Sequence, residues 1–195
     1  AGAAARATAA DRRACRDDDA PSNAKKWGHQ YAEILKTTGY PVGITSNQPI
    51  EIKERIMDNM HHGVLHCKTS GIDFIVVHFS PFSYEKRQEE TKIVLTKLAE
   101  IAKSQDKYCV LGDFNAVSPF DVTQQFTSGW DERVSCPTQI FEEEKGKGRN
   151  QNSKRIDYIL TSPYIAGHCS NAQVLNQEAT YYLSDHYPVM AEFTF

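Results

Sequence analysis

Four short polar groups in this 195-residue sequence contain residue types that hydrolytic sites use, and each lies beside an apolar run. They are His78, Gly112-Asp113-Phe114-Asn115, Arg155-Ile156-Asp157-Tyr158 and Ser184-Asp185-His186-Tyr187-Pro188. Each group alone is also typical of an ordinary turn, core position or strand cap, because Asp, Asn and Ser bond nearby backbone groups. Together the four groups supply three carboxylates, an amide and two imidazoles, a set that can form a single hydrolytic centre.

The chemistry that these side chains could perform is the activation of water. Asp157 could hold one nitrogen of His186, as the acid of a catalytic triad orients an imidazole. Asp113 could take a proton from water, and Asn115 could hold that water or a developing charge. Asp185 adds an oxygen ligand that suits a hard divalent cation.

The elements that must position these groups are those of a mixed α/β protein. The spacing of Val94, Leu98, Ile101 and Ala102 predicts an amphipathic helix over Tyr84–Ser104, with Glu, Lys and Gln on its outer face and Ser83 at its entry. Apolar or alternating patterns predict strands at 31–35, 42–45, 50–53, 64–67, 72–79, 108–111, 155–161 and 189–195. Strands joined both by a hairpin at 69–71 and by a long helix predict a mixed sheet covered by helices.

The order of these motifs resembles that of a known family. Val76-Val77-His78-Phe79, Arg87 in the helix, Leu111-Gly-Asp-Phe-Asn115, Arg155-Ile-Asp-Tyr-Ile159 and Ser184-Asp-His-Tyr-Pro-Val189 resemble the endonuclease/exonuclease/phosphatase superfamily of metal-dependent phosphoesterases. The resemblance covers residues 27 to 195. It implies a four-layer α/β/β/α sandwich of two mixed β-sheets flanked by helices.

The resemblance also implies a role for each matching residue. Asp113, with Asn115 beside it, would activate or orient the attacking water. His186, held by Asp157, would contact the scissile phosphate and stabilise its transition-state charge. His78 would bind a phosphate oxygen or assist the leaving group. The implied enzyme is a hydrolase that cleaves a phosphodiester or phosphomonoester by in-line attack of water on phosphorus.

A divalent metal is part of the implied mechanism. Asp185 would bind or orient Mg²⁺, for which Mn²⁺ could substitute. Members of the superfamily also begin with a strand that carries an Asn and a second strand that ends in Gln-Glu, and this Glu is the principal metal ligand. Both would precede Trp27 and neither is in the sequence, so we expect that the N-terminal strands are missing from it. The alternative is a catalytically impaired phosphoesterase-fold binding module that lacks this Glu.

The first 24 residues differ in composition from the rest of the chain. They contain ten Ala, four Arg and four Asp, and no Val, Ile, Leu, Met, Phe, Tyr or Trp. A segment without such side chains cannot supply a core strand, because it buries too little to offset the entropy of ordering it. We therefore expect residues 1–24 to be a tag-like, low-complexity segment and residues 25–195 to form a single phosphoesterase-like catalytic domain.

Charge limits the class of substrate. The net charge of −3 and the pI of about 6.2 argue against a protein that holds nucleic acid through bulk positive charge. The basic residues of 145–155, which include Arg149, Lys154 and Arg155, could contact a substrate phosphate or form a solvated loop. We expect a small-molecule, lipid-linked or nucleotide phosphate ester as substrate, no strong nucleic-acid-binding patch, no transmembrane segment and a monomer. No targeting signal in the chain indicates a compartment.

The cysteines and the remaining histidines do not indicate a metal site. The five cysteines form no Cys-x-x-Cys pair, and Cys67 and Cys109 lie in apolar runs that predict burial. His61, His62 and His66 have a spacing that fits no standard zinc site. We expect an exposed loop at His61 and His62 that leads into the predicted strand containing His66.

Overall fold

The computed structural model describes residues 24–35, 41–117, 154–177 and 186–195. Within these ranges the helices are α1 (Tyr84–Ile101) and α2 (Pro163–Gly167). The strands are β1 (Tyr31–Leu35), β2 (Val42–Ser46), β3 (Glu51–Ile56), β4 (Val64–Thr69), β5 (Ile72–His78), β6 (Tyr108–Asp113), β7 (Asp157–Thr161), β8 (Cys169–Val174) and β9 (Val189–Phe193). The segment before Ala24 lies outside the described residues, and so do Arg149 and Asp185.

The centre of the described structure is a five-stranded sheet in the order β3-β4-β5-β6-β7. Only β5 and β6 are parallel, and α1 connects them, whereas the other neighbours in this sheet are antiparallel. The sheet is therefore mixed, as the sequence predicts. The pairs β1-β2 and β8-β9 each form a two-stranded antiparallel sheet.

Both faces of the central sheet are buried. Phe74, Val76 and Leu111 belong to a core that includes residues of both small sheets. Their neighbours along the same strands, such as Val77 and Val110, belong to a second core that includes the apolar residues of α1. Burial on both faces explains why the central strands are continuous apolar runs rather than alternating ones. The resulting layers are a helix, a central sheet and a layer of small sheets.

Two local predictions are confirmed in detail. The hairpin between β4 and β5 turns through Ser70 and Gly71, whose φ angles of 54° and 77° are typical of a two-residue type I′ turn. Helix α1 begins after Ser83, whose Oγ accepts a hydrogen bond from the Lys86 N–H at 3.0 Å. The helix ends at Ile101, three residues before the predicted end.

The sequence did not predict α2 or β8. Helix α2 is only five residues long and begins at Pro163, with Ser162 as its cap. Strand β8 has the sequence CSNAQV, whose polar residues lack the alternation used to predict strands. Cys67 and Cys109 are buried, as predicted, and burial raises the pKa of each thiol to about 12. Among the described residues, no helix is long and apolar enough to cross a membrane.

Gly112 allows β5 and β6 to approach each other closely. A Cβ at this position would lie 1.9 Å from the carbonyl oxygen of Val77 on β5. The φ of Gly112 is 137°, which side-chain-bearing residues rarely adopt. Because Gly112 comes directly before Asp113, this contact fixes the end of β6 that carries the polar residues.

We predict that Gly112→Ala lowers the free energy of unfolding by at least about 3 kcal/mol, because the added methyl group collides with backbone in a strained conformation. Gly167→Ala is the matched control, since a Cβ there meets nothing within 4 Å. That variant is expected to stay within about 0.5 kcal/mol of the parent. Urea unfolding measures both values. Equal losses of stability at the two positions would contradict the claim that position 112 requires glycine.

Candidate active site

Strand register places three of the predicted site residues in one row across the sheet. His78 is paired with Asp113 between β5 and β6, and Asp113 is paired with Asp157 between β6 and β7. Directly paired residues project from the same face of a sheet. The three side chains therefore share one edge of the face that carries Val76 and Leu111, toward the small sheets.

Asp157 binds the fourth predicted residue. Its Oδ2 lies 2.8 Å from Nδ1 of His186, which comes just before β9. The Asp157 side chain is 2% exposed and the His186 side chain 13%. A carboxylate can only accept a hydrogen bond, so Nδ1 of His186 is the donor in this contact. The arrangement is the one predicted for these two residues.

Asp113 lies between a histidine and a tight turn. Its Oδ2 is 3.6 Å from Nε2 of His78, which is longer than a direct hydrogen bond. Its Oδ1 accepts the backbone N–H of Asn115 at 2.7 Å. Asn115 has a φ of 47° and its amide group donates to the carbonyl oxygen of Phe79 at 2.8 Å. Asn115 therefore ties the segment after β6 to the segment after β5, next to His78 and Asp113 in the chain.

Aromatic rings support the site from the opposite face of the sheet. Phe79, Phe114 and Tyr158 form two edge-to-face contacts, with ring centroids 5.1 and 5.4 Å apart. The Tyr158 hydroxyl lies 3.0 Å from the carbonyl oxygen of Ala116 and 2.8 Å from that of Arg155. It thereby joins the segment after β6 to the segment before β7, each of which adjoins an aspartate of the row.

The predicted substrate-binding residues are only partly described. Arg155 lies before β7 with its guanidinium carbon 4.9 Å from the Tyr158 ring centroid, so its side chain stacks on the aromatic support. Lys154 is exposed. Arg149 and the metal ligand predicted at Asp185 lie outside the described residues. The role of each of these four residues stays a prediction.

Three side chains of the site form a group that could hold a metal ion. Asp113, Asp157 and His186 each offer a ligand atom, and these atoms lie within 4.8 Å of one another. Carboxylate oxygens suit hard divalent cations, and Mg²⁺ is commonly bound through one or two carboxylates together with water and substrate oxygens. The donor set therefore fits such a cation.

The histidines near β4 are placed as predicted except for His62, which the sequence predicts to be exposed. His61 is exposed, but His62 is buried and its ring stacks on that of His78, with centroids 4.0 Å apart and an interplanar angle of 29°. His66 lies within β4 and its Nε2 binds the buried Asp73 at 2.6 Å. Residue spacing could not reveal that His62 contacts the site, because 15 residues separate it from its partner along the chain.

An α/β sandwich with a cluster of carboxylates and imidazoles at the end of its central sheet is the architecture of a class of phosphoesterase folds. A model of the Endonuclease/Exonuclease/phosphatase family matches residues 8–186. The chain therefore belongs to this family. Its members are nucleases and phosphatases that act on phosphoester bonds and typically depend on a divalent metal. The resemblance inferred from the motifs is confirmed.

Solved structures share the fold at low sequence identity. The 3′ phosphatase NExo from Neisseria, bound to a product DNA hairpin, has a TM-score of 0.70 and 20% identity, with 92% of this chain and 85% of that chain covered. An AP endonuclease from Archaeoglobus fulgidus has a TM-score of 0.62 and 17% identity, with 88% and 82% covered. Truncated TDP2 from Caenorhabditis elegans has a TM-score of 0.60 and 14% identity, with 92% and 81% covered. No curated protein sequence matches this chain. These likenesses confirm the predicted sandwich.

We predict that Tyr158→Phe lowers the free energy of unfolding by about 1–2 kcal/mol, because two backbone carbonyls lose the hydroxyl that they share. Tyr84→Phe is the matched control, since the exposed Tyr84 hydroxyl accepts a hydrogen bond from Gln88 at the helix surface. Its expected cost is below about 0.5 kcal/mol. Denaturant unfolding compares the two variants. A cost at Tyr158 no larger than that at Tyr84 would contradict the structural role of the hydroxyl.

Proposed function

We propose that the protein hydrolyses a phosphodiester or phosphomonoester by in-line attack of an activated water, with His78, Asp113, Asn115, Asp157 and His186 as the catalytic residues. The observation that carries the proposal is the row of His78, Asp113 and Asp157 across three strands, completed by the bond from Asp157 to His186. In-line phosphoryl transfer needs positioning and charge stabilisation more than covalent chemistry. A rigid sheet edge supplies that positioning.

Asp113 is the residue proposed to orient and deprotonate the attacking water. Its Oδ1 is fixed by the Asn115 N–H, so the carboxylate has one defined orientation. Its Oδ2 lies on the side of His78. A general base must lie within hydrogen-bond reach of the proton that it removes, and a fixed carboxylate meets that need once substrate is bound.

His186 is proposed to contact the scissile phosphate through Nε2. The buried Asp157 holds Nδ1 and thereby fixes both the tautomer and the ring orientation. A histidine fixed in this way can donate to a phosphate oxygen when Nε2 is protonated. Asp157 then stabilises the imidazolium cation, because its carboxylate is buried beside the ring.

His78 is proposed to bind a non-bridging phosphate oxygen or to protonate the leaving group. Its Nε2 is 3.6 Å from Asp113 Oδ2, so a phosphate bound in front of both side chains would meet the imidazole and the water on Asp113 together. Asn115 is proposed to keep this geometry constant, since its amide group holds the backbone that follows His78.

Mg²⁺ is the proposed cofactor, with Mn²⁺ as a substitute. Asp113 and Asp157 would hold it through carboxylate oxygens, and Asp185 is proposed as a further ligand because it matches the family motif. A cation bound there would neutralise charge that develops on the phosphate oxygens. Strand register and hydrogen bonds position Asp113 and Asp157 whether or not an ion is bound.

The proposed substrate is a small-molecule, lipid-linked or nucleotide phosphate ester. Arg155, Lys154 and Arg149 are proposed to contact its phosphate groups, since they are basic residues that precede Asp157 closely in the sequence. Among the neighbours, NExo is described as a 3′ phosphatase and as a 3′-5′ exonuclease. A nucleotide end with a terminal phosphate therefore belongs in any substrate panel, although the net charge of −3 does not favour bulk binding of nucleic acid.

We predict that the full-length gene product hydrolyses bis-p-nitrophenyl phosphate only when Mg²⁺ or Mn²⁺ is present. Removal of metal with EDTA should abolish turnover, and added Mg²⁺ should restore it. Asp113→Asn and His186→Ala should each lower kcat by a factor of at least about 100, because each removes a group that acts in the transition state.

The same assay separates the rival functions. Turnover that survives EDTA, or that survives the double variant Asp113→Asn with His186→Ala, would contradict the proposed mechanism. Absence of turnover across a panel of phosphate esters, together with retained binding of a phosphate ester, would favour the binding module. Asp58→Asn is the control, since this aspartate is exposed in the turn before β4.

We predict that Asp157→Asn lowers kcat by a factor of about 100 to 10,000, because the amide can no longer hold the productive tautomer of His186. The loss should not add to that of His186→Ala, since both substitutions disrupt one unit. Steady-state kinetics of the two single variants and the double variant measure this coupling. Fully additive losses would show that Asp157 acts by another route.

A further inference from the structure

Glu90 is a buried acidic residue in the middle of helix α1. Its exposed fraction is 0%, and it lies one turn before the buried Val94 on the face that meets the central sheet. The sequence pattern places Glu, Lys and Gln on the outer face of this helix, and for Glu90 that prediction is wrong. Burial raises the pKa of the Glu90 carboxyl, while hydrogen bonds from backbone N–H groups act in the opposite direction.

Each carboxylate oxygen of Glu90 accepts a backbone N–H from a different segment. Oε1 accepts the N–H of His61 at 2.6 Å, and Oε2 accepts the N–H of Ser80 at 2.8 Å. His61 lies between β3 and β4, and Ser80 lies between β5 and α1. One side chain thus joins two loops that are distant in sequence.

The two loops carry rings that meet at the proposed catalytic site. His62 follows the first hydrogen-bonded residue directly, and His78 lies two positions before the second. His62 is 3% exposed, and its ring stacks on the ring of His78, with centroids 4.0 Å apart. His78 in turn faces Asp113 across 3.6 Å. Contacts therefore run from Glu90 through the backbone of His61 to His62 and then to the site.

Neighbouring residues of α1 also bind the loop before β4 and the loop after β5. Lys86 donates from Nζ to the carbonyl oxygen of Asn59 at 3.0 Å, and Arg87 donates from Nη1 to that of Ser80 at 3.2 Å. Burial of a carboxylate costs free energy unless its oxygens are hydrogen-bonded, and an apolar side chain on this stripe would avoid that cost. The two hydrogen bonds therefore point to a need for fixed loop geometry rather than for core stability alone.

We propose that Glu90 is a positioning residue for His78: it ties the loop before β4 to the loop after β5, so that the His62 ring holds the His78 ring in place against Asp113. The proposal rests on the proposed function, because it gives His78 a catalytic role. It assigns no contact with substrate to Glu90 or His62. Their effect on turnover must then pass through His78.

A double-mutant cycle tests this route. Glu90→Gln keeps the size of the side chain but turns an amide NH₂ group toward one of the two backbone N–H groups, so one hydrogen bond is lost. We expect Glu90→Gln to lower kcat on bis-p-nitrophenyl phosphate with Mg²⁺ about tenfold, with KM within about twofold of the parent. In the His78→Ala background, the same substitution should change kcat by less than about twofold.

Glu100→Gln is the matched control, since Glu100 is exposed ten residues further along the same helix, where it pairs with Lys97, and the substitution should leave kcat unchanged. His62→Ala removes the ring that stacks on His78. It should lower kcat as much as Glu90→Gln does, and the double variant should show no further loss. Urea unfolding confirms that each variant is folded under the assay conditions.

An equal loss from Glu90→Gln in the parent and His78→Ala backgrounds would overturn the proposal, because a general loss of structure acts on both. Unchanged kcat in Glu90→Gln or His62→Ala would overturn it as well. If His78→Ala itself retains full activity while Asp113→Asn does not, the positioning role fails and the hydrolytic function stands. If Asp113→Asn with His186→Ala is fully active, the proposed function itself fails.

Discussion

The register of β5, β6 and β7 is the constraint on which the site depends. One pairing across β5 and β6 and another across β6 and β7 bring His78, Asp113 and Asp157 into line. A slip of one residue in either pairing would turn the side chains of a strand to the opposite face and disperse the row. Gly112 fixes the first pairing, because its backbone lies against the carbonyl of Val77 at a distance that no larger residue could match.

The two faces of the central sheet contribute differently to function. The face toward the small sheets carries the polar row at its edge, and the face toward α1 carries the packed rings and the buried Glu90 beneath the same edge. Asn115 and Tyr158 join strand ends through backbone carbonyls. The reactive groups therefore lie on one face, and many of the contacts that position them come from the other face, an arrangement that favours a preorganised site.

Much of this structure could be predicted from the sequence, because its strongest signals are local. The apolar run of β5, the turn residues Ser70 and Gly71 and the helix cap at Ser83 act over a few residues, and each is found as predicted. The two elements that were missed have weak local signals: β8 is polar, and its edge position is set by pairing with β9. Glu90 and His62 were misjudged because distant partners bury them, and a spacing rule for one helix or loop cannot report such partners.

The central claim is that His78 and His186 lie around one phosphate. Two-bond ¹H–¹⁵N spectra of the histidine side chains, recorded while inorganic phosphate and Mg²⁺ are added to the protein, test it most directly. His66, bound to Asp73, and His168, bound to the Tyr164 carbonyl, provide internal references away from the row. The account predicts that the signals of His78 and His186 shift together with a single affinity while those of His66 and His168 stay constant. Phosphate binding that moves neither His78 nor His186, or that moves all four signals equally, would contradict it.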